Sequence, residues 1–405
     1  MKEITINAPA VLPVSREYDV VVVGGGVGGG VAGCAAALAS VRSGMKTLLI
    51  EKQTILGGLA TSGHVVIYLP LDDGYGRQVI GGIAEELLYD SVKYSYGDDV
   101  SDWQDKKRYE TRFNGPAFAL ALERKLLDEG VTVLYDTLFV GSLINGKRCE
   151  GIIVENKSGR SVILAKAVVD ASGDAEVFAR ASIDCCRAEN SLAIWCYTTS
   201  DCAHVLKRGS APECGLNLLT LGNIDTKAAK HVVIEPYYGD SAEGVNRFIL
   251  DGHKRLLDEI SEHPEITLAS LPGMAQFRMV RCVQGEHTLT EDDLSRHFDD
   301  NIGATGDWRR PAPIYEIPFR ALYTEASDNI LAAGRCISSE GDAWQVTRVI
   351  PPAALTGQAA GTAAAMICQT GLAANRLPVS ELREKLSAAG VILDCNNQEE
   401  KQHEA

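Results

Sequence analysis

The sequence predicts an α/β fold: a Rossmann-like domain with a central parallel sheet and a small antiparallel accessory sheet, joined to a second, mixed α+β domain. Three observations carry this. Val20–Val23 is a β-branched run that reads as a buried parallel strand; a turn of glycines follows, then the small-residue helical stretch Cys34–Val41. The same order of apolar strand and small-residue turn returns at Ala167–Asp174 and at Asn329–Ser338. Between them, Leu138–Ile144, Cys149–Val154 and Ser161–Leu164 are separated by Asn145-Gly146 and Lys157-Ser158-Gly159-Arg160, which are hairpin turn signals.

Met1–Arg16 reads as an extension before the first strand or an added edge segment. In the turn, Val-Gly-Gly-Gly occurs twice (Val23–Gly26, Val27–Gly30), so a GxGxxG pattern fits Gly24, Gly26 and Gly29 or Gly28, Gly30 and Gly33. The first register starts where the strand should stop; the second places the next acid nearer the usual spacing and is slightly favoured. Glycine suits a backbone that must approach a pyrophosphate at a helix amino terminus. Glu51, closing the apolar run Thr47–Ile50, is placed to accept from a ribose hydroxyl. The alternative is a membrane span or a signal core, since Val20–Val41 is uncharged and long enough. Glycines throughout and the lack of a basic start argue against it.

Lys52–His64 is a loop with paired glycines, either a surface turn or one border of a ligand crevice. Gly81–Tyr96 is an amphipathic helix, and Pro116 opens another that runs to Gly130. Val131–Leu134 reads as a strand. Ile183–Tyr315 is more loosely patterned, with a helix at Gly244–Glu262. Pro351-Pro352 introduces the alanine-rich helix Ala353–Cys368, whose amino end is a natural anion site. The tail from Asn396 is charged and reads as disordered. These boundaries divide the chain into a discontinuous domain, 1–182 with 316–405, and a substrate or cap domain, 183–315.

Composition narrows the function classes. The net charge of −15 and a pI near 5.1 oppose nucleic acid and anionic membranes as partners. Eleven cysteines without a C-x-x-C pair, and no signal peptide, point to reduced thiols and a cytoplasmic protein. No Cys/His grouping has zinc spacing, so no metal is expected.

Taken together, the glycine turn with Glu51, Gly57–Gly63, Val169–Asp174, Ala333–Ser338 and Arg348–Pro352 with Gly357–Gly361 resemble the bacterial FAD-dependent oxidoreductase family, with its glutathione-reductase-like flavin fold. The resemblance covers nearly the whole chain. It implies bound FAD, with the pyrophosphate on Gly24, Gly26, Gly28, Gly29, Gly30 and Gly33, and the adenosine beside Glu51, Lys52 and the backbone of Phe139. Gly58, Leu59 and Thr61 would lie near the flavin; Gly334 and Arg335 near the ribityl or phosphate groups; Ala171 and Gly173 among the other cofactor contacts; Pro352 and Ala353 at the flavin N1–C2=O edge, where a helix dipole favours the reduced, anionic state. An arginine-bearing stretch, Arg278–Gly285 ahead of Leu289-Thr290, also resembles the family, although Met279, Val280 and Cys282 are less polar than its usual pattern.

On this reading the enzyme transfers a hydride between a small organic substrate and non-covalent FAD. His64, Arg278, Arg281 and Arg348 are the foremost catalytic candidates, with Tyr315 and Arg320 behind them. A histidine after a glycine loop is either a proton carrier or a structural donor. Arginines either anchor a carboxylate or pair with internal acids. The absence of C-x-x-C disfavours disulfide reductases. A flavin-binding scaffold or an RNA-modification flavoprotein is the competing reading, and the acidic charge disfavours the second. The electron acceptor is not encoded in any motif, and a homo-oligomer is left open.

Overall fold

The computed structural model describes residues 11–25, 30–95, 100–200, 216–222, 235–311 and 313–393. The opening unit is strand β1 (Val14–Val23), helix α1 (Gly30–Arg42) and strand β2 (Thr47–Ile50). The uncharged opening stretch is therefore a strand and a helix, not one continuous span. Helices α2 (Ile83–Val92) and α3 (Gly115–Asp128) follow; Asn114 caps α3 by accepting from Ala117 N, and Pro116 occupies its first turn. Then come strands β3 (Thr132–Leu134), β4 (Leu138–Asn145), β5 (Arg148–Asn156) and β6 (Gly159–Asp170).

The accessory strands are not a separate layer. Ser161–Leu164 and Ala167–Asp170 lie in one strand, β6, which runs parallel to β1 along one edge. Its other edge changes partner: Gly159–Leu164 pairs antiparallel with β5, and Val168–Asp170 pairs parallel with β12 (Ile330–Ala332). One seven-stranded sheet results, with the order β3-β2-β1-β6-β5-β4 and β12 beside β6.

Outside it lie an antiparallel pair, β7 (Cys185–Arg187) with β11 (Arg281–Val283), and a three-stranded antiparallel sheet of β8 (Ile194–Ser200), β9 (Leu216–Leu221) and β10 (Ile266–Ser270). Helix α4 (Ala242–Glu262) accompanies this small sheet: Leu256 shares a core with Ile194, Cys196 and Leu221. Helices α5 (Gly341–Thr347) and α6 (Ile350–Thr370) follow β12.

Register explains where a ligand crevice can form. Val23 of β1 stands opposite Ile50 of β2 and Asp170 of β6, and Asp170 stands opposite Ala332 of β12. Four parallel strands thus end at one level, and the glycine turn, Glu51, Ser172–Asp174 and Gly334 all leave the sheet at that edge. Helices α1 and α6 cover the same face in unusually close contact. A Cβ on Gly357 would lie 2.2 Å from the Ala32 carbonyl oxygen, and one on Gly361 would lie 2.2 Å from that of Ala36. This proximity carries the amino ends of both helices to one place.

Candidate functional site

Two clefts open at the carboxyl edge of the sheet. The larger, about 150 Å³, is lined by Val23, Gly24, Glu51, Lys52, Phe139 and Asp174, among others. The smaller, about 70 Å³, lies between Gly30, Gly57, Leu59, Arg278, Arg348 and Ala353. Gly24 and Gly30 place them at opposite ends of the glycine turn.

Neither register of the repeat describes that turn by itself. Gly24 follows β1 directly, and α1 starts only at Gly30. Gly33 packs where a third fingerprint glycine belongs: a Cβ there would sit 1.9 Å from the Gly24 carbonyl oxygen. A Cβ on Gly30 would sit 2.4 Å from the backbone of Gly57. The turn therefore begins as in the first register and ends as in the second, four residues longer than GxGxxG. Gly26, Gly28 and Gly29 lie outside the described residues.

Glu51 is buried and folds back on the turn: one oxygen accepts from Gly25 N at 2.9 Å, the other from Gln53 N at 2.8 Å. It joins Lys52, Leu138 and Phe139 along the larger cleft. The 57–64 loop is tied to the turn by Gly57 N to Gly25 O at 2.8 Å, and Gly58–Ala60 forms a single tight helical turn. Thr61 hydrogen-bonds Leu56 O.

Asp170 is fully buried and accepts from Ser172 N (3.0 Å), Ser172 Oγ (2.6 Å) and Val177 N (2.8 Å). Burial pushes it up to about 6 despite those donors. It fastens the turn holding Ala171 and Gly173 to the short helix Glu176–Arg180. Arg335, also buried, crosses the same turn, donating to Gly173 O and Phe277 O, both at 2.6 Å, and pairing with Asp174. Gly334 N donates to Thr356 Oγ1 on α6 at 3.0 Å.

The structure brings Arg278 and Arg348 together and leaves Arg281 elsewhere. Arg278 lies over the Trp195 ring, 5.4 Å from its centroid, with Gln276 O 3.3 Å from Nη1. Arg348 donates to Gln345 Oε1 at 2.9 and 2.7 Å. Neither guanidinium meets a carboxylate among the described residues. Burial and the neighbouring arginines push Arg278 down to about 10 and Arg348 down to about 9. Both remain charged at neutral pH. Beside them the amino end of α6 carries Pro351 and Pro352 in its first turn, where a missing N–H is tolerated, and Ile350 and Ala353 of that end line the smaller cleft. Arg281 instead pairs with Glu176 at 2.6 Å and Asp174 O at 3.0 Å, an internal ion pair beside the larger cleft. Arg320 is likewise paired, with Asp300 at 2.9 Å, and Tyr315 lies in a buried strand.

His64 occupies left-handed backbone (φ 54°) and is buried against Tyr197, with ring centroids 4.7 Å apart. Nε2 lies 3.5 Å from Ser270 Oγ, whereas Nδ1 is buried with no hydrogen-bond partner. Burial lowers its pKa below the ordinary 6.5, so the ring is neutral at pH 7. Val65, the next residue, lines the smaller cleft.

Trp195 and Gln276 were not signalled by any motif. Gln276 is buried and clips the 57–64 loop to β8: it donates to Gly63 O and to Trp195 O (2.9 Å) and accepts from Trp195 N (2.8 Å). The only sequence hint was their place in the loosely patterned region beside Arg278.

Among the described residues, no helix is long and apolar enough to cross a membrane. The family model described as FAD dependent oxidoreductase matches residues 19–193 and 188–386. Solved structures similar to the chain include a geranylgeranyl bacteriochlorophyll reductase-like protein from Thermoplasma acidophilum (14% identity, 92% of this chain and 82% of that one, TM-score 0.42). Another is p-nitrophenol 4-monooxygenase from Pseudomonas putida DLL-E4 (12% identity, 92% and 88%, TM-score 0.46). No curated protein matches the chain by sequence.

Proposed function

The chain belongs to the FAD-dependent oxidoreductase family, and on that premise we propose that it transfers a hydride between non-covalently bound FAD and a small organic substrate carrying a carboxylate. The cofactor of the family is FAD, and the residues fit it. Two clefts flank a glycine turn whose packing leaves no room for side chains at Gly30 and Gly33, and two helix amino ends meet at one of them. Glu51, Lys52 and the Phe139 backbone would hold the adenosine; Gly24, Gly30 and Gly33 would shape the pyrophosphate turn; Leu59, Pro352 and Ala353 would border the flavin. The described lining of the smaller cleft contains no cysteine or histidine for covalent attachment, and acid precipitation should release the flavin. When bound, FAD supplies the two-electron centre that accepts or donates the hydride.

The observation that carries the substrate class is the pairing of Arg278 and Arg348 at one cleft, both desolvated and neither neutralised by a carboxylate. Two such cations are costly to keep and become favourable when an anion joins them. Arg278, steadied by Trp195, and Arg348, steadied by Gln345, would fix the carboxylate and so orient the substrate. His64, buried behind Val65 and outside the lining of the smaller cleft, takes no proton-transfer role in this reading and would support the 57–64 loop. Residues 183–315, which supply Arg278, Trp195 and Gln276, would form the substrate domain. The test is an anaerobic panel of small carboxylic acids and their amides, followed by flavin absorbance. One or more acids should bleach the flavin while the matching amides do not; bleaching by amides and acids alike would sink the carboxylate assignment.

A further inference from the structure

Outside the flavin clefts, two cysteines far apart in sequence face each other. In the β7–β11 pair, Cys186 stands directly opposite Cys282. The flanking bonds, Ala188 N to Val280 O at 2.9 Å and Gln284 N to Asp184 O at 3.1 Å, alternate so that Cys186 and Cys282 form a narrow, hydrogen-bonded pair. Such pairs hold their Cα atoms about 5.5 Å apart, within the range a disulfide spans, and directly opposed side chains share one face.

The two thiols have different surroundings. Cys282 is fully buried against Trp344, and its Sγ lies 3.3 Å from Ser339 O. Cys186 is half-buried and lines an open cleft of about 630 Å³ with Met279, Glu340 and Gln345. Interaction between the two sulfurs, with help from the Gln284 side chain, lowers Cys186 below an ordinary thiol and raises Cys282. Burial instead raises the thiols of Cys34, Cys149, Cys185, Cys196, Cys336 and Cys368. The half-buried Cys186 sulfur is thus the one a reagent in the cleft reaches first, with its thiolate form favoured, and Cys282 lies behind it.

We propose that Cys186 and Cys282 form a peroxide-responsive redox site that closes to a cross-strand disulfide. The Cys186 thiolate attacks a hydroperoxide oxygen, the O–O bond breaks, and Cys186 becomes a sulfenic acid as hydroxide (or alkoxide) leaves. The Cys282 sulfur then attacks the Cys186 sulfur, the S–O bond breaks, and the Cys282 proton leaves with the oxygen as water. Two thiols are oxidised by two electrons and one peroxide is reduced. Because a hydrogen-bonded cross-strand position is not the relaxed geometry for the bond, a dithiol should reopen it readily. The closed bond would bear on the flavin side as well: Trp344, packed on Cys282, lies in α5, the helix that ends beside Arg348.

The test uses the FAD-loaded full chain treated with one equivalent of hydrogen peroxide, alkylated after unfolding and digested without reduction. The expected result is a peptide joining Cys186 to Cys282, with loss of two alkylatable thiols, both restored by dithiothreitol. In Cys282→Ser, dimedone should trap a sulfenic acid at Cys186; in Cys186→Ser, Cys282 should stay reduced. Alkylation of both cysteines after peroxide treatment, or a linkage of Cys186 to Cys185 or to a second chain, would overturn the proposal.

Discussion

Gly33→Ala probes the glycine turn most sharply. The added methyl would lie 1.9 Å from the Gly24 carbonyl oxygen and 3.3 Å from the Ala171 side chain. An ordinary contact needs roughly 3.4 Å, so α1 must retreat from β1 by more than about 1 Å, and the obstacle is backbone that cannot swing aside. Overpacking of this kind costs about 1–3 kcal/mol. If the displacement also opens the turn that receives the pyrophosphate, FAD affinity falls by about 5- to 150-fold, since each 1.4 kcal/mol is tenfold. The assay pairs urea unfolding at constant m-value with a fluorescence titration of FAD into apoprotein. Gly141→Ala is the control, because its methyl would meet only the Ile153 side chain at 3.6 Å. A Gly33→Ala protein with wild-type midpoint and wild-type FAD affinity would refute the packing argument.

Arg278→Met and Arg348→Met should each retain flavin and lower kcat/KM for the carboxylate substrate by about 30-fold or more, because one desolvated charge pair is worth about 2–5 kcal/mol. Their stability should hold or rise, since an unpaired half-buried cation is removed; urea midpoints check this. Glu51→Gln keeps the shape but offers one acceptor oxygen for two backbone N–H groups, at a cost of about 1–3 kcal/mol, seen as a lower urea midpoint and weaker FAD binding. For His64 the folded pKa lies below the unfolded value of 6.5, so the unfolded chain binds the extra proton first and stability is lost as pH falls from about 6.5 through the folded pKa. His64→Asn should remove that part of the pH dependence of the urea midpoint and leave the range above pH 7 unchanged.

What the sequence made legible is what chemistry demands locally. A strand end, a turn without side chains and a helix start must be adjacent in the chain, so the opening unit and α6 could be read directly, and only the junction of the repeated turn could not. Ser161–Leu164 and Ala167–Ala171 read as two strands, with the charge of Lys166 lying between them. In the structure Lys166 merely takes the outward place in β6, with its amine 2.7 Å from Asp19, and the strand passes through it unbroken. Arg278 was visible as a candidate, but its partnership with Arg348 depends on folding the substrate region over the α6 terminus, and Trp195 and Gln276 carry no pattern that announces them. Arg281, three residues beyond Arg278, opens β11 and is drawn to Glu176 and the Asp174 carbonyl instead, a pairing that no local spacing announces. Cys186 and Cys282 escaped notice for a related reason: a strand pairing, rather than a C-x-x-C spacing, sets them opposite each other.

The most direct measurement is a crystal structure of the protein with FAD. The account predicts adenine beside the Phe139 backbone, the pyrophosphate over the turn from Gly24 to Gly33, and the isoalloxazine against Leu59 and Ala353 within reach of Arg278. Flavin bound with its ends reversed, or with its ring system outside the cleft that holds Arg278 and Arg348, would contradict it.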